Sequence, residues 1–189
     1  MSKSRRNSTL STARRWSGAV AAAALTLASS AAMANSGITN YFNCMRTQPV
    51  DFPGTIVDAA VATPALSTLV SLVSAAGLVP ALSAPGNLTV YAPTNDAFAK
   101  IPGAVLGAIG GDNAVLSAVL TYHVVAGTGD PRVLGSREAP TLQGQTVFLK
   151  YDNAKGTPRI NQSTTSCQAV RTTNGTVWVI DSVLLPQFR

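Results

Sequence analysis

Between Leu88 and Pro102 the sequence changes period, and this change constrains the fold more than any other feature of the chain. Leu88, Val90 and Ala92 alternate with Thr89 and Tyr91, the period-2 pattern of a strand with one buried face. Pro93 ends the alternation. Thr94 or Asn95 then offers a side-chain oxygen to cap a helix, Asp96 places a negative charge in its first turn, and Phe98 with Ile101 supplies an inward face. The stretch predicts a strand, a cap and a short helix in immediate succession.

The first 34 residues read as a secretory signal. Lys3, Arg5, Arg6, Arg14 and Arg15 form a basic region, Ala19–Ala28 is a short apolar run, and Ala32-Met33-Ala34 is a small-x-small cleavage site, so cleavage is expected after Ala34. No later run approaches the roughly 20 apolar residues of a membrane-crossing helix. Nearly all of the formal charge of +6 also resides in this segment, which holds five of the 14 Lys+Arg and none of the 8 Asp+Glu. The remaining cations are scattered singly, without the basic stripe that neutralises phosphates, which argues against nucleic acid as a partner. The rest of the chain has the length of one domain with a substantial core. Two cysteines in an exported chain predict a Cys44–Cys167 disulfide rather than a metal site or a reactive thiol.

Asn35–Gly54 reads as a polar extension, with Pro49 and Pro53 expected to break any regular element. Helices are predicted around Ile56–Val61, after the Thr63-Pro64 cap with Leu66, Leu69, Val70 and Val73 on one face, and over Asn113–Thr121 behind Asp112. A further helical turn is expected at Leu78–Leu82. From Thr141 the pattern turns to strands: Thr146–Tyr151, a return from Arg159, Cys167–Arg171, and Thr176–Asp181 after an Asn174-Gly175 hairpin turn. Helices early and strands late predict an α+β fold.

His123 is the single histidine, and between Tyr122 and Val124 at a helix-to-strand junction it reads as a buried framework residue rather than a general base. No serine lies in a Gly-x-Ser-x-Gly elbow, no acid cluster matches a calcium loop, and Gly107, Gly110 and Gly111 lack the Lys-Ser/Thr of a phosphate loop. Neither catalysis nor a metal nor a cofactor is therefore expected. Trp178 and Phe148 read as core or surface stacking residues.

Three segments carry a family resemblance. Thr89–Pro102, Tyr122-His123 with the following Val124–Gly127, and Asn174–Pro186 resemble, in order and spacing, the first conserved region, the tyrosine–histidine motif and the second conserved region of fasciclin (FAS1) domains. With Cys44, Cys167 and Thr141–Gly144, the chain is similar in particular to the single-domain secreted fasciclin proteins of bacteria, including the mycobacterial secreted antigens. The resemblance implies a β-wedge of two small sheets decorated with helices over residues 55–186, preceded by the extension at 35–54 and followed by a tail at 187–189. It also implies a non-enzymatic role in cell adhesion or envelope interactions, with a protein or polysaccharide partner on a cell surface, matrix or envelope. The motif residues Thr94, Asn95, Asp96, Phe98, Tyr122, His123, Asn174, Gly175 and Asp181 are the interaction candidates. Integrin-binding animal members carry Glu-Pro-Asp-Ile-Met where this chain reads Cys167–Arg171, and no Arg-Gly-Asp occurs. A periplasmic or extracellular carrier of small apolar ligands or lipids is the alternative, because the 46% hydrophobic content permits an internal pocket.

Overall fold

The computed structural model describes residues 28–187. Most of the expected signal segment lies outside them, and the expected cleavage point after Ala34 falls within the first helix, α1 (Ala28–Arg46). In chain order follow β1 (Val50–Asp51), α2 (Ile56–Val61), a 3-10 turn at Pro64–Leu66, α3 (Ser67–Ala75), α4 (Val79–Ser83) and β2 (Leu88–Pro93). Next come α5 (Asn95–Ala99), α6 (Gly103–Gly111), α7 (Asn113–Tyr122), β3 (Val124–Ala126) and β4 (Ser136–Pro140). The chain closes with β5 (Thr146–Asp152), β6 (Thr157–Ile160), β7 (Ser163–Thr164), β8 (Val170–Thr172) and β9 (Gly175–Ile180). The fold is α+β.

Two sheets result, a mixed one ordered β1-β8-β9-β2-β3 and an antiparallel one ordered β4-β5-β6-β7. At the centre of the first, β2 and β9 run parallel, with Val90 opposite Val177 and Tyr91 opposite Trp178. This register sorts the two cores. Val90, Ala92 and Val177 face the helices and pack with Leu69, Leu116 and Leu120. Tyr91, Trp178 and Ile180 face the second sheet and pack with Val147, Leu149 and Ile160. The expectation of one buried face on β2 is thus corrected, since Thr89 and Tyr91 are as buried as Val90. Burial of Thr89 is affordable because its hydroxyl donates to Gly127 O (2.7 Å) and accepts from Gly129 N (2.9 Å).

The helix boundaries follow local chemistry. Thr55 and Asp58 form a reciprocal capping box at α2, and Asp112 Oδ1 accepts from Ala114 N and Val115 N at the start of α7 (2.8 and 3.2 Å). Gly77, at φ 70°, closes α3 while Leu78 N donates back to Val73 O.

The extension is not irregular. Helix α1 continues to Arg46 because both prolines lie beyond its end, and β1 then pairs in parallel with β8 (Val50 with Val170). The Cys44–Cys167 disulfide, with Cα atoms 5.0 Å apart, fastens the helix end to the approach to β8. Strand β8 itself starts only at Val170, leaving Cys167 in the preceding loop. One further expectation shifts. The hairpin turn between β8 and β9 is Thr173-Asn174, because Thr172 pairs with Gly175. Val179 is half-buried, whereas Val177 and Val183 are buried.

Candidate functional site

The helix-to-strand junction after α7 positions His123 beneath the second conserved segment. His123 is 2% exposed. Its Nδ1 lies 2.8 Å from Val119 O, which can only accept, and its Nε2 lies 2.9 Å from Leu184 N, which can only donate. The ring is therefore the neutral tautomer protonated on Nδ1. Burial lowers its pKa from 6.5 to about 4, against a smaller upward pull from the Val119 carbonyl. An imidazole with both nitrogens engaged by backbone holds α7 to the C-terminal segment and leaves no lone pair for a substrate.

Most of the other motif residues are likewise held within the fold. Thr94 rather than Asn95 caps α5, accepting from Ala97 N (3.2 Å). Asn95 stitches α5 to the start of α3, accepting from Thr68 N (3.0 Å) and donating to Pro64 O (3.1 Å) and Ser67 Oγ (3.0 Å). Asp96 stands in the first turn of α5, and Phe98 is buried in the helix-side core. Tyr122 donates to Thr146 O (3.1 Å) and accepts from Asn161 Nδ2 (3.1 Å), joining α7 to the second sheet. Asn174 is buried, accepting from Ile56 N (2.9 Å) and donating to Leu82 O (2.8 Å) and Ala84 O (3.0 Å).

Gly175 is required by space and not by φ, since a Cβ there would collide with the carbonyl oxygen of Leu88. Asp181 accepts from Thr164 N (2.9 Å) and Thr164 Oγ1 (2.7 Å), tying β7 to the end of β9. Partial burial pushes its carboxyl up, but the Thr164 and Ser182 hydrogen bonds and the Lys100 charge together hold it below the usual carboxylate range.

A node that the sequence does not announce centres on Arg132. Its guanidinium donates to Cys44 O (3.3 Å), Thr47 O (2.9 Å) and Cys167 O (3.3 Å), pairs with Asp130 (2.7 Å), and stacks 5.1 Å over the Trp178 ring. It satisfies carbonyls at the end of α1 on one side of the disulfide and a loop carbonyl on the other.

Two concavities complete the picture. The first, between the helices and the five-stranded sheet, is an apolar cavity of about 70 Å³ lined by residues including Ile56, Val57, Leu69, Val73, Leu82 and Leu120. Ligand pockets for drug-sized molecules run from roughly 300 to 1,000 Å³, so this void holds no acyl chain as it stands. The second is a solvent-open groove of about 1020 Å³ on the outer face of the four-stranded sheet. It runs along Ser136, Thr146, Phe148, Lys150, Gln162 and Gln187. No local pattern signals it, because its walls come from β4, β5, the β6–β7 turn and the C-terminal segment. Among the described residues no three His, Cys, Asp or Glu side chains group as a metal site, and no single helix is long and apolar enough to cross a membrane.

Comparison with known proteins places these features in a family. The model of the fasciclin domain matches residues 64–186. Protein sll1483 of Synechocystis is 40% identical over 157 residues, covering 82% of this chain and 86% of its own. The immunogenic protein MPB70 of Mycobacterium bovis is 36% identical over 160 residues, covering 79% of this chain and 80% of its own. The cell surface glycolipoprotein MPB83 of the same species is 40% identical over 137 residues, or 69% of this chain and 60% of the longer relative. Among solved structures, a FAS1 domain pair from the insect cell adhesion molecule fasciclin I aligns with a TM-score of 0.47 at 19% identity, over 64% of this chain and 45% of the pair. With its ordered motifs folded into one framework and the family model spanning most of the described residues, this chain belongs to the fasciclin domain family.

Proposed function

We propose that this chain is an exported, non-enzymatic adhesion module that binds a protein or polysaccharide on a cell surface, matrix or envelope. Residues 55–186 form the domain, and residues 35–54 are an extension fastened to it by the disulfide. The observation that carries this reading is the state of His123, whose two nitrogens are both held by backbone in a buried site. The motifs thus build a rigid scaffold, and the work falls to its surface. The relatives named a cell surface glycolipoprotein and an immunogenic protein support an outward-facing location. The apolar-ligand alternative needs the 70 Å³ cavity to widen several-fold, whereas adhesion needs no rearrangement.

The test is retention of fractionated envelope and cell-surface material on the immobilised protein, together with fractionation of the cells that produce it. Saturable retention of one fraction, lost when the protein is reduced and unfolded, is the expected result. Equal retention by the folded and unfolded protein would overturn the reading.

A further inference from the structure

Resting on the adhesion reading, we propose that the groove on the outer face of the four-stranded sheet binds a neutral polysaccharide, with Phe148 as its stacking platform. Phe148 lies on β5, an inner strand, yet is 48% exposed, and Leu185 beside the groove is 45% exposed. A phenyl face ringed by hydroxyls and amides matches the two-sided chemistry of a sugar ring, whose C–H face stacks on the π-system while its hydroxyls exchange hydrogen bonds with the rim. The Ser136 hydroxyl, the Lys150 ammonium and the Gln187 side-chain amide line the groove without a protein hydrogen-bond partner among the described residues.

The groove is also held in shape before any ligand arrives. Gln145 grips the backbone of Gln187 in both directions (Nε2 to O 2.8 Å, N to Oε1 2.9 Å), fixing one wall. Asn161, the non-glycine residue with positive φ (51°) among those described, fixes the floor. Its Oδ1 accepts from Phe148 N (2.8 Å) and its own N–H donates to Phe148 O (2.8 Å). Positive φ is ordinary for an asparagine in the two-residue β6–β7 turn, and the contacts of Asn161 hold that turn against β5.

Charge and backbone geometry narrow the occupant. Among the described residues Lys150 is the one charged side chain lining the groove; Glu138 stands directly across from Phe148 on β4, and Arg159, paired with Asp152, stands across from Lys150 on β6, so the face suits a neutral polymer better than a polyanion. The backbone of β5 is paired on both sides, with β4 and with β6, so an extended peptide lying here finds no ladder to join.

The proposal is tested by titrating the isotopically labelled full chain with cellohexaose, chitohexaose and maltohexaose, following the amide resonances of Phe148, Lys150 and Gln162, with heparin as a polyanion control. At least one neutral hexasaccharide should shift them saturably. Phe148→Ala should weaken binding by about tenfold, the equivalent of one lost aromatic contact, while Phe148→Trp preserves it and both variants melt as the parent does. No saturable shift, binding indifferent to Phe148→Ala, or a response to heparin alone would overturn the proposal. Envelope retention that survives periodate oxidation of glycans but not protease would overturn it while leaving the adhesion reading intact. Hexasaccharide binding without envelope retention would overturn the adhesion reading alone.

Discussion

The imidazole Nε2 of His123 accepts a hydrogen bond from the backbone N–H of Leu184 at 2.9 Å, so the single histidine of the chain is a buried neutral acceptor. Its folded pKa of about 4 lies below the 6.5 of an exposed ring. The unfolded state therefore takes up a proton first as the pH falls. Stability from this group is fully present above about pH 6.5 and is lost as the pH drops toward about 4. The loss is on the order of 3 kcal/mol. Urea unfolding across this range should show the slope. His123→Ala should flatten it and cost roughly 1–3 kcal/mol at neutral pH through the orphaned Leu184 N–H; a variant with the parent's slope would contradict the assignment.

Reduction of the Cys44–Cys167 bond, whose cysteines are 123 positions apart, should lower stability by roughly 4–5 kcal/mol in the chain-entropy model. Thermal melts with and without reductant measure this, and a thiol-labelling reagent should react only after reduction. Arg132 binds carbonyls on both sides of the same link. A double-mutant cycle of Arg132→Ala against Cys44→Ser with Cys167→Ser should therefore be non-additive. Strict additivity would show that the guanidinium and the disulfide act independently.

Glycine substitutions should separate space from conformation. Gly175→Ala drives a methyl into the Leu88 carbonyl, so the central strand pair must part and the variant should fail to fold or lose more than about 3 kcal/mol. Gly107→Ala sits inside α6 with nothing within 4 Å of the added carbon and should stabilise by about 0.5–1 kcal/mol. Denaturant titrations of the pair decide it; equal effects would overturn the spatial argument.

Asn174→Asp keeps the shape of a buried side chain but removes the amide that donates to Leu82 O and Ala84 O. It should destabilise the chain by at least roughly 1–3 kcal/mol at neutral pH. The deficit should shrink in acid, where a protonated carboxyl can donate once. A pH-independent deficit would mean that the lost donors are not its cause.

What the sequence discloses and what it withholds divide along the range of the interactions. The strand, cap and helix between Leu88 and Pro102 are legible because alternation, Pro93 and the Thr94 hydroxyl act within a few residues. The Asp112 cap is legible for the same reason. The Asn174-Gly175 pair points to the right hairpin but the wrong turn residues, because Asn174 is placed by α2 and α4, and Gly175 by β2. Strand β4 escapes notice because four of its five residues are exposed and Pro140 closes it, as an edge position allows. The helical stretch of the extension is missed because Pro49 and Pro53 warn only against helix beyond Arg46. The groove around Phe148 is invisible in any local window, since its walls converge from residues scattered between Tyr122 and Gln187.

The parallel pairing of β2 with β9 bears on the order in which the chain can mature. Strand β2 has β3 on one flank, but its other neighbour is made of residues 175–180, far downstream of it in the chain. A growing polypeptide that lacks them has no central sheet for its helices to rest on, and the high contact order of the finished sheet slows closure further. The five-stranded sheet thus cannot close around β2 until β9 has been made.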